Sequence, residues 1–307
     1  MRTPALALAA VLLAAGCGGI ESQGFPSASA ASPPGETLQA LLDRPGPDVL
    51  LTQGTSDYAA GAVRLSFLVI RESGAPASRP HARVWVGTAL RATPLVRASA
   101  SLEPVGVPGV SAPAIGEVTR LYVAHFRLAR PGKYWVVVEP LGARPPVQAV
   151  GNLVVKATSA APAVGSKAIP SPTPTIASTH GNIASLTTRT PPDRELLRYS
   201  VAASLAAHKP FVLVFATPKF CSSRTCGPVV DVVDAMRKRF RGSGIRFIHV
   251  EIYKNNNPSL GTNRFVKEWH LPAEPFTFLV GRDGRIKASF EGSVSVDELA
   301  AAVQRYL

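Results

Sequence analysis

Apolar and polar positions alternate through much of residues 48–156, as in Val63-Arg64-Leu65-Ser66-Phe67. A period of two sends successive side chains to opposite faces, so the pattern predicts strands. Seven stretches fit it: 49–52, 63–70, 82–87, 96–102, 120–128, 134–139 and 147–155. Turn signals such as Pro131-Gly132 separate them, and no helical period intervenes. Short strands at this spacing predict two packed sheets with polar outer faces.

The pattern changes beyond residue 179. Leu196, Leu197, Val201 and Leu205 form an apolar stripe behind Thr190-Pro191-Pro192-Asp193, which reads as a helix start, so one helix is expected from 190 to about 208. Residues 211–215 are a continuous apolar run, the mark of a strand buried on both faces. Val229, Val233, Met236 and Phe240 then recur at helical spacing. Between strand and helix lies a loop with Cys221 and Cys226, the only cysteines beyond the N-terminal segment. A strand is expected over 245–252, a helix over 259–269, and a hairpin around Asp283-Gly284. A last helix starts at Ser295, whose Ser-Val-Asp-Glu is a capping box.

Composition adds an address. Arg2 precedes an apolar run from Ala5 to Ala15, of signal-peptide length and too short to span a membrane. A Ser/Ala/Gly/Pro-rich stretch follows and reads as a tether, and a second Ala/Pro/Ser/Thr-rich stretch marks 157–178. The expected organisation is a signal peptide over 1–16, a linker over 17–47, the β region over 48–156, a linker over 157–178 and a second domain over 179–307. The net charge is +13, but the basic residues are scattered apart from Arg237-Lys238-Arg239 and Arg241. A scattered excess of this kind gives a solvated surface, and no nucleic-acid motif accompanies it.

The residues so far read carry three resemblances. Leu13-Ala14-Ala15-Gly16-Cys17 resembles a bacterial lipobox, which implies cleavage before Cys17, its lipidation, and an extracytoplasmic protein anchored to the cell membrane. The β region, with Pro131-Gly132-Lys133-Tyr134-Trp135, resembles an immunoglobulin-like sandwich, where a Tyr often ties down a corner. Residues from about 160 to the end resemble the thioredoxin-like superfamily in its TlpA-like or peroxiredoxin-like branch. That resemblance rests on the strand–Cys loop–helix, the strand over 245–252, Glu274-Pro275-Phe276-Thr277-Phe278-Leu279-Val280 and the final hairpin and helix. The expected fold is therefore an all-β immunoglobulin-like sandwich followed by an α/β thioredoxin-like domain. The resemblance further implies that Pro275 is a cis-proline facing the cysteines. Four residues separate the cysteines where that superfamily has two, and Val214 stands where many members carry a buried acid. Matching Cys226-Gly227-Pro228 to the family motif leaves Val229 in place of its second cysteine. Matching Pro228 and Asp231 further along the helix instead puts Cys221 near the nucleophile position.

With Cys17 acylated, two thiols remain, and an even pair in an oxidising compartment is expected to spend time as a disulfide. Positions five apart diverge within one helix, so that bond needs Cys221 to lie before the helix. Three functions fit. One is a membrane-anchored thiol–disulfide oxidoreductase acting on exported protein thiols or disulfides, with Cys221 as nucleophile, Lys219 and Arg224 beside it, and Cys226 as resolving partner. The second is a non-catalytic binding module with a structural disulfide. The third resembles a Sco-type copper chaperone, with His249 or His270 joining the sulfurs. His81 and His125 stand isolated among the strands and do not suggest a metal site. No cofactor is expected.

Overall fold

The structure, a computed structural model, describes residues 35–112 and 119–307. Cys17 and the expected signal peptide lie outside the described residues. α1 (Leu38–Leu42) opens on Thr37, whose hydroxyl accepts the Ala40 N–H. Eight strands follow: β1 (Val49–Gln53), β2 (Tyr58–Ala59), β3 (Gly61–Arg71), β4 (His81–Gly87), β5 (Val96–Pro104), β6 (Arg120–Leu128), β7 (Gly132–Pro140) and β8 (Ala149–Lys156). They pair in the order β1-β3-β6-β5-β4-β7-β8-β2. Alternate residues Val63, Leu65, Phe67 and Val69 of β3 enter the core, where Phe67 stacks on Tyr122 at 5.1 Å. The Tyr134 hydroxyl donates to the Arg130 carbonyl at 2.8 Å and pins the turn before β7.

The expected two-sheet immunoglobulin-like sandwich is not what these strands build. They form a single curled sheet of eight strands. The physical reason lies in β5. Its first half, Val96 to Ser101, pairs with β4, and its second half, Ala100 to Pro104, pairs with β6. One strand therefore joins two sets that would otherwise stand apart as separate layers. The sheet bends far enough for its ends to meet, since the Gln53 side-chain amide of β1 donates to the Asn152 carbonyl of β8 at 2.9 Å. The alternation that predicts a half-buried strand is the same in either architecture, so sequence alone could not separate them.

Residues 201–307 supply α2 (Val201–Ala206), β9 (Phe211–Phe215), α3 (Cys226–Arg239), β10 (Arg246–Val250), α4 (Arg264–Glu268), β11 (Phe276–Val280), β12 (Ile286–Glu291) and α5 (Val296–Tyr306). The sheet order is β10-β9-β11-β12, with β10 parallel to β9 and the other pairs antiparallel. β9 is buried along its whole length, as its apolar run requires. Val212 and Val214 pack under α3 and α5, against Val229, Val233, Leu299 and Val303. Phe211, Leu213 and Phe215 face the other way into an aromatic cluster, in which Trp269 sits 4.8 Å from Phe278.

The α/β thioredoxin-like architecture expected for 179–307 is likewise corrected. The structure holds a four-stranded, mostly antiparallel sheet, and only 20% of the described residues are helical, in five short α-helices and a few 3-10 turns. Helices expected to be long break up for local reasons. The stretch from 190 to 208 resolves into a 3-10 turn at Arg194–Leu197 and the six-residue α2. Asp193 caps the first through the Glu195 N–H, and Ser200 caps the second through the Ala203 N–H. Two caps seven residues apart start the helix twice, because a capping side chain favours non-helical backbone at its own position. The stretch from 259 to 269 breaks in the same way: Asn263 caps the five-residue α4 by accepting the Phe265 and Val266 N–H groups.

The two sheets are joined by polar contacts. Arg64 of β3 donates to both carboxylate oxygens of Glu298 on α5, at 2.7 and 2.8 Å, and to the Ser293 carbonyl at 2.7 Å. Glu291 of β12 accepts the Ser56 and Asp57 N–H groups at 2.9 and 2.8 Å. In the β5–β6 connection, Ser111 donates to Asp231 of α3 at 2.6 Å, while Val107 packs on the apolar cluster beneath that helix.

Candidate functional site

β9 delivers the chain to the site. It ends at Phe215, and the following loop carries Cys221 before α3 begins at Cys226. Thr225 occupies the N-cap without making a side-chain cap, its hydroxyl being paired with Ser223 at 2.8 Å. The first N–H of α3 is thus left for a different acceptor: Cys226 donates to the Cys221 sulfur at 3.3 Å. Ser223 Oγ lies 3.3 Å from the same sulfur. The two sulfurs are at disulfide distance, 2.50 Å apart, with Cα atoms 6.0 Å apart. Cys221 keeps 9% of its surface and Cys226 none, so an incoming group meets Cys221 first.

β11 brings the other wall. Phe276 pairs with Phe215, which sets Glu274 and Pro275 against the loop leaving β9. The Glu274–Pro275 bond is cis, and the Pro275 carbonyl accepts the Gly292 N–H at 2.9 Å. A Glu274 carboxylate oxygen and the two sulfurs all lie within 4.8 Å of one another. Glu274 Oε2 is buried and has no hydrogen-bond partner. Burial, and secondly the negative charge of Glu251, push the Glu274 carboxyl up to about 7. Glu251 itself is held by Thr188, accepting its N–H at 2.5 Å and its hydroxyl at 2.8 Å.

The Glu274 carboxylate is the functional group that sequence reasoning passed over. Its signal was present as the residue before Pro275, but only strand pairing reveals that it faces the sulfurs. Val214 carries no acid and pairs with His249 and Thr277 inside the sheet. The carboxylates arrive from the ends of the neighbouring strands instead.

The remaining candidates are dispersed. The Lys219 ammonium lies over the Phe220 ring, 5.4 Å from its centre. Arg224 takes a left-handed backbone conformation, φ 56°. His249 is buried, burial lowers its pKa, and its Nε2 lies 3.0 Å from the Ala216 carbonyl oxygen. His270 and His81 are exposed. His125 is exposed as well and meets Glu298 at 3.3 Å. Among the described residues, the one cluster able to offer three metal-ligating side chains is Cys221, Cys226 and Glu274, and no histidine belongs to it. A cleft of about 360 Å³, lined by residues including His249, Glu251, Tyr253, Asn263 and Phe265, opens beyond Glu251.

No protein-family model matches the chain, and no curated protein matches it. Among the described residues, no helix is long and apolar enough to cross a membrane.

What the arrangement can do chemically follows from its charges. If the bond between the sulfurs opens, the first N–H of α3 and its partial positive charge favour the thiolate at Cys221. Cys226, closed off in the first turn, is placed to attack a sulfur bonded to Cys221.

Proposed function

We propose that this chain is a thiol–disulfide oxidoreductase acting on exported proteins, held at the outer side of the cell membrane through a lipidated Cys17. The observation that carries the reading is the sulfur pair at 2.50 Å, with the α3 N–H on the more accessible member. A helix-opening donor lowers the pKa of a thiol, and the thiolate is the species that attacks a disulfide. Cys221 attacks, a mixed disulfide forms, and Cys226 releases it. Pro275 walls the site and fixes the approach of the substrate backbone.

The test is the reduction potential of the purified chain, together with its ability to reduce insulin disulfides. The reading expects catalysed insulin reduction that is abolished by Cys221→Ser. It also expects a potential above about −300 mV, the range below which structural disulfides resist the glutathione pool. A second reading, a binding module with a structural disulfide, draws support from the burial of Cys226 at 0% exposure and Cys221 at 9%. A potential below that range, with no insulin reduction, would select it.

A further inference from the structure

We infer that the reduced form of the Cys221–Cys226 pair, together with Glu274, is a binding site for a borderline-soft divalent cation of the zinc type. This goes beyond the proposed exchange activity and does not depend on turnover. It rests on three ligand atoms of suitable chemistry, two sulfurs and a carboxylate oxygen, within 4.8 Å of one another. It rests also on a Glu274 oxygen that is buried yet lacks any hydrogen-bond partner. An unpaired buried carboxylate oxygen is costly, and a cation is one of the few partners that removes the cost.

The geometry suits the ion. Zinc bonds of about 2.3 Å to sulfur and about 2.0–2.2 Å to carboxylate oxygen place tetrahedral ligand atoms roughly 3.5–3.8 Å apart. Once the bond between the sulfurs is reduced, the two thiolates are free to take up that spacing, and the carboxylate oxygen already lies within 4.8 Å of both. Cys221 in a loop can supply that movement and Cys226 in the helix need not. Three protein ligands leave a fourth position for water, facing the side on which Cys221 is accessible.

The surroundings hold the ligands in place. The Cys226 N–H and Ser223 hydroxyl orient the Cys221 sulfur, as outer-shell donors orient metal ligands. The titratable groups facing Glu274 are the two cysteines, Glu251 and Tyr253. None of these carries positive charge, so among these described residues none competes with a cation.

A dithiol reductant breaks the Cys221–Cys226 bond, donating two electrons and two protons and itself becoming a disulfide. Binding of Zn²⁺ then displaces both thiol protons to solvent, and the carboxylate takes the third position. The oxidised pair has no thiolate to offer, so the site exists in one redox state only.

The experiment uses the full chain, reduced and kept free of oxygen, with Zn²⁺ competed against a chromophoric chelator and Co²⁺ as a spectroscopic probe. One equivalent should bind the reduced chain and none the oxidised chain. Cys221→Ser should abolish binding, and Co²⁺ should show thiolate-to-metal charge-transfer absorption. Glu274→Gln should weaken Zn²⁺ at least ten-fold, since losing a ligand costs no less than the ten- to hundred-fold typical of an outer-shell partner, and Glu274→Asp should restore part of it. Cu(I), satisfied by two thiolates, should be indifferent to Glu274→Gln. Should Glu274→Gln bind Zn²⁺ as tightly as the parent, or should the oxidised chain bind equally, the site is wrong. Insulin reduction without Zn²⁺ binding would sink this proposal and leave the exchange activity standing; the converse would do the reverse.

Discussion

Glu274 is held in a place that suits its protonated form. Its carboxyl sits at about 7 in the folded chain against an ordinary 4.5. Between those values the folded chain binds more protons than the unfolded one, so stability falls as pH rises from 4.5 through about 7. Glu274→Gln removes that loss. Urea unfolding of the disulfide-intact protein should show the variant more stable than the parent at about pH 8 and level with it at about pH 4. At this scale the sequence told half the story. Cys221 and Cys226 stand out because the chain has only three cysteines, and Pro275 because it precedes the apolar run 276–280. A glutamate has many, and its meaning here depends on Phe276 pairing with Phe215, a contact between distant parts of the chain.

Elements were legible where one period ran uninterrupted. All seven predicted strands of the β region are present, and β9, α3 and α5 begin close to where their patterns begin. β2 escaped notice because two residues cannot display a period, and it exists through parallel pairing with β8. The helices that fragmented did so at Ser200 and Asn263, where a polar side chain caps from within an apolar stripe. The α5 cap was read from sequence: Ser295 accepts the Glu298 N–H at 3.1 Å. Ser295→Ala should cost about 1 kcal/mol in urea unfolding, the usual value of such a cap. Leu299→Ala, one turn into the same helix and fully buried, should cost about 2–5 kcal/mol because it leaves a cavity under α5.

At the scale of the molecule, neither the curl of the eight-stranded sheet nor its docking against the second could be read from the residues. Both are set by contacts between segments far apart in the chain. The docking has a polar centre in Arg64 and Glu298, whose side chains keep only 12% and 15% of their surface. Burial raises the Glu298 carboxyl, but Arg64, with His125 beside it, outweighs that and holds it at about 2. The stabilisation is therefore present above pH 4.5 and is lost as pH falls through about 2. Arg64→Ala strands the glutamate and should cost about 3–5 kcal/mol at neutral pH, shrinking in strong acid. A denaturant titration that leaves the midpoint unmoved would refute this. Close approach matters as well: Gly292 has φ 72°, and a Cβ there would run into the Gly54 carbonyl oxygen.

The β5–β6 connection bears on how this protein should be handled. Val107 and Ser111 rest on the same helix that opens with Cys226, and a Cβ at Gly106 would run into Pro228 in its first turn. Excising residues 160–307 as a minimal thiol fragment would strip the helix of that support, baring apolar surface one turn from a sulfur. Electrochemistry on such a fragment would report on a loosened helix, and the intact chain is the proper specimen.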